Sequence, residues 1–295
     1  MEVLVGTVAG VVDAGSGRVV ALGGEDVGAM AGGWAVVDGR RLVAIDDAAR
    51  DGGAGTTLEG PPITCLDSRP GDEPLVGTAE AHLYRMGGEP SLVDAFERAE
   101  SRSRWYTPWG GPPDVRSLCT APSGAILVNV HVGGILRSDD GGGSWRPTID
   151  LDHDVHQVLA IDSARAVAAC AHGFADSHDG GLSWVVHDEG LHASYSRAVA
   201  FAGDTVLLSV SIGPGGRQAA VYRRLLQADG PFERCRSGLP DWFDGNVDTS
   251  WLAGGADGSA ALATQAGDVY VSMDEGRSWE QAASALPSVR CVALV

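Results

Sequence analysis

Apolar positions along this chain come in short bursts, each entered from a turn and each too brief to cover one face of a helix. Seven bursts open alike, at Asp26-Val27-Gly28, Pro62-Ile63-Thr64, Asp114-Val115-Arg116, Asp154-Val155-His156, Tyr195-Ser196-Arg197, Asn246-Val247-Asp248 and Ser288-Val289-Arg290. The pattern predicts short strands joined by tight turns, and the 42 glycines agree with it. The first fifteen residues alternate valine with small residues as a strand does. They carry no basic segment, so they do not read as a signal peptide. No apolar run approaches the ~18 residues of a membrane-spanning helix. Two stretches, 31–60 and 86–110, blur the strand pattern. In the second, Ser91, Leu92, Val93 and Phe96 predict the start of a short helix.

One motif recurs. Residues 138–145, 177–184 and 272–279 all fit S-x-D-x-G-x-S-W, with the pairs Asp140 and Trp145, Asp179 and Trp184, Asp274 and Trp279. The aspartate can accept backbone N–H groups in a tight turn, the glycine supplies positive φ, and the tryptophan anchors the turn against a neighbouring sheet. Trp145 to Trp184 is 39 residues and Trp184 to Trp279 is 95, room for one more unit in which Phe232 replaces the tryptophan. Trp105 precedes Trp145 by a similar 40. A period of about 40–45 residues predicts four-stranded propeller blades. Seven openings then give an all-β, seven-bladed β-propeller as one domain over residues 1–295. Residues 288–295 supply the strand that closes the blade begun by residues 1–25, which leaves no free sheet edge.

The motif resembles the Asp-box, or BNR repeat, of sialidases and many other propellers. The whole chain is similar to BNR-like proteins commonly labelled glycosyl hydrolase or exo-sialidase, through segments such as His131-Val132-Gly133-Gly134-Ile135, Trp109-Gly110-Gly111-Pro112-Pro113 and Leu239-Pro240-Asp241-Trp242-Phe243. Those labels follow a structural repeat and say little about activity.

Antiparallel order places the S-x-D-x-G-x-S-W turns on one face and the strand-one openings on the other. The openings form a ring of Gly28, Thr64, Arg116, His156, Arg197, Asp248 and Arg290. The second-strand ends add His131, His172, Ser211 and Gln265. The loops feeding this face carry Trp109, Tyr195 and Trp242, an aromatic rim around convergent polar groups. The expectation is a site for a small anionic or sugar-like molecule. Arg116, Arg197, Arg290 and Gln265 would bind it, and His156 or His131 would act as acid or base.

Resemblance to sialidases implies a three-arginine carboxylate clamp, with Tyr195 as nucleophile and Asp248 as acid/base. The chain departs from that pattern: it has no Arg-Ile-Pro motif, no glutamate placed beside Tyr195, and seven blades rather than six. A hydrolase or lyase of the glycosidase type is the broader expectation. A second is a metal-assisted hydrolase or lyase, with a divalent metal on His131, His156 and His172 and a carboxylate such as Asp154; otherwise no cofactor is required. A third is a non-catalytic scaffold or assembly factor whose arginines grip an acidic peptide or chain terminus of a protein partner.

Charge narrows the partners. The net charge is −18, and all 21 basic residues are arginine. Nucleic acid and anionic membrane surfaces are excluded as partners by repulsion, and chemistry needing a lysine amine by composition. The five cysteines form no C-x-x-C pair and read as reduced thiols of a cytoplasmic protein. Cys65 and Cys291 directly follow ring positions, so their side chains should point into the sheet packing. There is no G-x-S-x-G elbow and no phosphate-binding loop.

Overall fold

A computed structural model describes residues 1–45, 55–227 and 230–295. It contains seven four-stranded antiparallel sheets arranged as the blades of a propeller. Blade I comprises Val27–Ala31, Trp34–Val37, Arg41–Ala44 and Thr56–Thr57, and blade II Ile63–Asp67, Leu75–Thr78, Leu83–Arg85 and Ser91–Leu92. Blade III comprises Val115–Thr120, Ile126–Val130, Gly134–Ser138 and Arg146–Pro147, and blade IV Val155–Ala160, Ala166–Cys170, Gly173–Ser177 and Val185–His187. Blade V runs Tyr195–Ala202, Thr205–Ile212, Arg217–Leu225 and Glu233–Arg234, and blade VI Leu252–Gly254, Ala260–Ala263, Val269–Ser272 and Glu280–Ala283. Blade VII joins Val289–Leu294 to Val3–Thr7, Gly10–Asp13 and Arg18–Ala21, so the two ends of the chain share one sheet. Among the described residues no helix is long and apolar enough to cross a membrane.

Apolar side chains fill the layers between neighbouring blades. Leu127 and Ile135 of blade III, for example, pack with Val158, Ala168 and Ala175 of blade IV. Strand pairs must approach closely in two blades. Gly77 faces Cys65 and Gly6 faces Cys291 across the first two strands. A β-carbon on Gly77 would lie 2.3 Å from Val115 Cγ1 and 2.7 Å from Cys65 Sγ. Both thiols are buried in this packing, and burial pushes each up to about 12.

The three S-x-D-x-G-x-S-W segments join third to fourth strands and share one bonding scheme. Asp140 accepts the Ser144 amide at 2.9 Å and the Ser144 and Ser138 hydroxyls at 2.7 and 2.8 Å, which holds its carboxyl down to about 2. Asp179 and Asp274 repeat this with Ser183 and Ser177, and with Ser278 and Ser272. Phe232 is buried immediately before the fourth strand of blade V, where Trp145 stands in blade III.

Trp105 does not mark a blade. It follows a short 3₁₀ turn in the connection from blade II to III, donates to Ser101 Oγ, and packs on Phe96. Its 40-residue distance from Trp145 is coincidental. The helix expected after Ser91 is one turn, Asp94–Glu97, because Ser91–Leu92 is already the fourth strand of blade II. Expectations for residues 46–54 lie outside the described residues.

Candidate functional site

The ring positions share a backbone feature that the sequence pattern did not disclose. The register of the first strand slips between Val27 and Ala29, Ile63 and Cys65, Val115 and Ser117, Val155 and Gln157, Ser196 and Val199, and around Arg290. Gly28, Thr64, Arg116, His156, Arg197 and Arg290 are therefore bulge residues, and a bulge re-aims a side chain at the end of a strand. Blade VI departs from this. Its first strand starts at Leu252 rather than at Val247, because residues 248–251 form a turn with Ser250 at positive φ and the Trp251 amide bonded to the Asp248 carbonyl. The turn leans over the ring: the Thr249 hydroxyl reaches the carbonyls of His156 at 3.3 Å and Arg197 at 3.2 Å. Ser250 lines a narrow 170 Å³ space in the channel with Arg116 and Gln157.

Two groups result. The first centres on His131, buried between carboxylates of successive blades: Nδ1 is 3.4 Å from Asp114 and Nε2 is 3.1 Å from Asp154. Burial works against its charge, but the two aspartates outweigh it and raise its pKa. Asp114 and Asp154 are lowered in return, against their own burial. Arg116 approaches His131 Nε2 at 3.5 Å, and no carboxylate among the described residues lies within ion-pair distance of it. His156 is 1% exposed. Its Nδ1 donates to the Ser196 carbonyl at 2.6 Å, while Nε2 is buried with no hydrogen-bond partner, 3.7 Å from Asp154. Burial lowers its pKa, Asp154 opposes this, and the Arg116 charge assists it. Trp109, 71% exposed, lies 4.8 Å from the His131 ring, and Tyr195 lies 4.9 Å from that of His156.

The second group lines a cavity of about 410 Å³ between blades V, VI and VII, which includes Arg197, Asp248, Gln265, Arg290, Trp251 and Asn246. Arg197 Nη1 donates to both Asp248 oxygens, at 2.8 and 3.1 Å, and its Nε is buried without a partner. The second and third strands of blade V are long, and their hairpin tip at Pro214 and Gly215 walls the cavity. Asn246 ties that tip down, donating to the Pro214 carbonyl and accepting from Ser211 Oγ.

The three arginines do not converge into one clamp. Arg197 pairs with Asp248 of the next blade, and Arg290 forks onto Asp26 at 3.0 and 2.9 Å, again in the next blade. His172 also stands apart from His131 and His156. The Ala171 amide bonds the Asp154 carbonyl as the His131 amide bonds that of Asp114, so Ala171 is the residue equivalent to His131, and His172 is displaced outward and exposed. Among the described residues no set of three or more His, Cys, Asp or Glu is arranged to hold a metal ion. Trp242, 37% exposed, stacks under Arg234 at 3.6 Å and beside His192 at 5.0 Å instead of entering the cavity. Asp26 and Asp114 were overlooked as site residues, and Asp154 was expected only as a metal ligand. Asp26, Asp114 and Asp154 each stand two positions before a ring residue, a repetition visible in the sequence as D-V-x.

No family model and no curated protein matches the chain. Solved structures do. The GH74 xyloglucanase from Xanthomonas campestris is 17% identical over 89% of this chain, with a TM-score of 0.62; this chain spans 46% of that enzyme. YCF48 bound to D1 peptide is 18% identical, with 86% of this chain and 81% of that one covered and a TM-score of 0.57. U3-55K is 12% identical, with 86% and 80% covered and a TM-score of 0.60. At these identities the likeness establishes the seven-bladed propeller fold.

Proposed function

We propose that this propeller is a binding module. Its ligand is a small anionic or sugar-like molecule, seated in the cavity on the face opposite the S-x-D-x-G-x-S-W turns. The observation that carries the reading is the cavity itself: about 410 Å³, with Arg197, Asp248, Gln265 and Arg290, all on the channel-face ring or second-strand ends, around the indole of Trp251. That volume is in the range of small-molecule sites, and the lining is mostly polar, with Trp251, Val289 and Pro214 as its apolar part. Arg197 commits only Nη1 to Asp248, and the Arg290 fork is half-exposed at the rim. Guanidinium groups so placed suit a carboxylate, with Gln265 and Asp248 left for hydroxyls. The groups that bond cleavage would need, His131, His156, Asp114 and Asp154, are tied to one another in the neighbouring cluster, so the cavity supports binding. We also read the three turns as Asp boxes of a BNR-type propeller, on the strength of their common bonding, and place the chain with its five buried free thiols in the cytoplasm.

A thermal-shift panel of glucuronate, N-acetylneuraminate, citrate, phosphate and a neutral xyloglucan oligosaccharide tests the reading. The comparison variant is Arg197→Gln/Asp248→Asn, which removes both charges and so leaves neither buried alone. A ligand at 100 times its Kd adds about 2.7 kcal/mol, a shift of several degrees. The expected result is a shift with the sugar acids that the double variant loses. A flat panel would overturn the proposal.

A further inference from the structure

Three arginines stand on the channel ring, and two of them have a carboxylate in the next blade. Arg197 of blade V pairs with Asp248, and Arg290 of blade VII with Asp26. The third, Arg116 of blade III, has no such partner among the described residues. Asp154 stands in the next blade as Asp26 does for Arg290, two positions before the ring residue. Its two oxygens face histidines instead, with His131 Nε2 at 3.1 Å and His156 Nε2 at 3.7 Å. Among the described residues Arg116 keeps one hydrogen-bond contact, His131 Nε2 at 3.5 Å, and that nitrogen already faces Asp154.

Arg116 also borders the 170 Å³ space in the channel. Met30, Leu66, Leu118 and Leu159, from the first strands of blades I to IV, give this space apolar walls. Gln157 commits its oxygen to the Val199 amide at 3.2 Å, which leaves its amide nitrogen to donate. Ser250 closes one side, on the turn that displaces the first strand of blade VI. Three other blades fix that turn. The Thr249 hydroxyl bonds the carbonyls of His156 and Arg197, and the Val292 amide bonds the Ser250 carbonyl at 2.8 Å. Asp67 borders the space as well, but its carboxylate is bonded to the Thr120 hydroxyl at 2.6 Å and burial raises its pKa, so it opposes an anion less than an exposed aspartate would.

We propose that this space is a second binding site, separate from the 410 Å³ cavity, and that it takes a short apolar carboxylate. The carboxylate meets the Arg116 guanidinium, which the histidines have freed, and the apolar tail lies along Met30 and the leucines. A planar guanidinium holds a carboxylate by two parallel bonds. A dry cavity of about 150 Å³ admits benzene, so this one suits a single ring or a few methylenes.

Methionine-methyl NMR on the full chain tests this, with benzoate as the probe and benzamide as its uncharged counterpart. Met30 is the one of the four methionines that borders the space, and Met30→Leu identifies its signal. That signal should move with benzoate and reach its midpoint at about a tenth or less of the concentration benzamide needs, the worth of one charge-assisted contact. Arg116→Gln, a change at a half-buried bulge residue, should make the two probes titrate alike. No movement of the Met30 signal, equal midpoints for the two probes in the unaltered chain, or a benzoate preference that persists in a folded Arg116→Gln would overturn the proposal.

Discussion

His131 shows how this propeller handles polar residues at its centre. It is 3% exposed and would be costly there unpaired, but two aspartates reach it from successive blades. Because its folded pKa is raised, the stabilisation is full below the unfolded value of 6.5 and fades as pH rises through the folded value. His131→Gln should therefore destabilise the chain more at pH 6 than at pH 9, as read by urea unfolding at both. A loss equal at the two pH values would mean that the histidine stays neutral. His156 runs the other way: its lowered pKa costs stability as pH falls below 6.5. The ring of openings marked Arg116, His156, Arg197 and Arg290, which the structure places at the bulges of their first strands, so this much of the candidate site was legible. The pairing was not. Whether Arg197 serves a ligand or Asp248 depends on how one blade sits against the next, and a single blade's sequence carries no record of that. His172 was misplaced for a local reason: counting back from the turn does not specify the register of a strand end to one residue.

At the scale of the element, what repeats is a bulge at the start of six of the seven first strands and an arginine near the end of several third strands. The bulges explain why strand alternation does not govern the ring, where side chains of different blades face the same opening. They left no mark in the hydrophobic pattern, because the bulged residue varies from glycine to histidine to arginine. Arg85, Arg137 and Arg223 each donate to a carbonyl in the turn of the next blade, at Gly141, Gly180 and Glu275, and these contacts are testable one at a time. Arg223 donates from Nε to the Glu275 carbonyl at 3.0 Å and is largely buried. Arg223→Met keeps the stem and removes the charge-assisted bond, so the loss should be about 1.5–3 kcal/mol by chemical denaturation. A loss near zero would show that the contact is decorative. Gly77→Ala tests the packing of the first two strands: with Val115 at 2.3 Å from the new carbon, overpacking should cost about 1–3 kcal/mol. The blade count and the turn motif were legible because both repeat at a fixed period. The displaced first strand of blade VI was not, because the turn at residues 248–251 interrupts that period.

For the molecule as a whole, the decisive feature is closure. Val289–Leu294 is the inner strand of a sheet whose other three strands come from the beginning of the chain. Deleting residues 289–295 should leave blade VII without its inner strand, expose the Val3–Thr7 edge, and replace one cooperative melt by a broad transition at lower temperature. An unchanged calorimetric melt would mean that the ring holds without its clasp. Closure also separates the two faces. The turn face carries the regular inter-blade contacts, and the opposite face carries the irregular loops, the hairpin tip at Pro214 held by Asn246 and the cavity beside it. The central claim is that this second face binds a small acidic ligand. Amide hydrogen exchange of the intact chain, with and without the sugar acid giving the largest thermal shift, tests it most directly. The account predicts new protection at residues 213–216 and 245–251, around the cavity. Protection confined to the turn face, or none at saturating ligand, would contradict it.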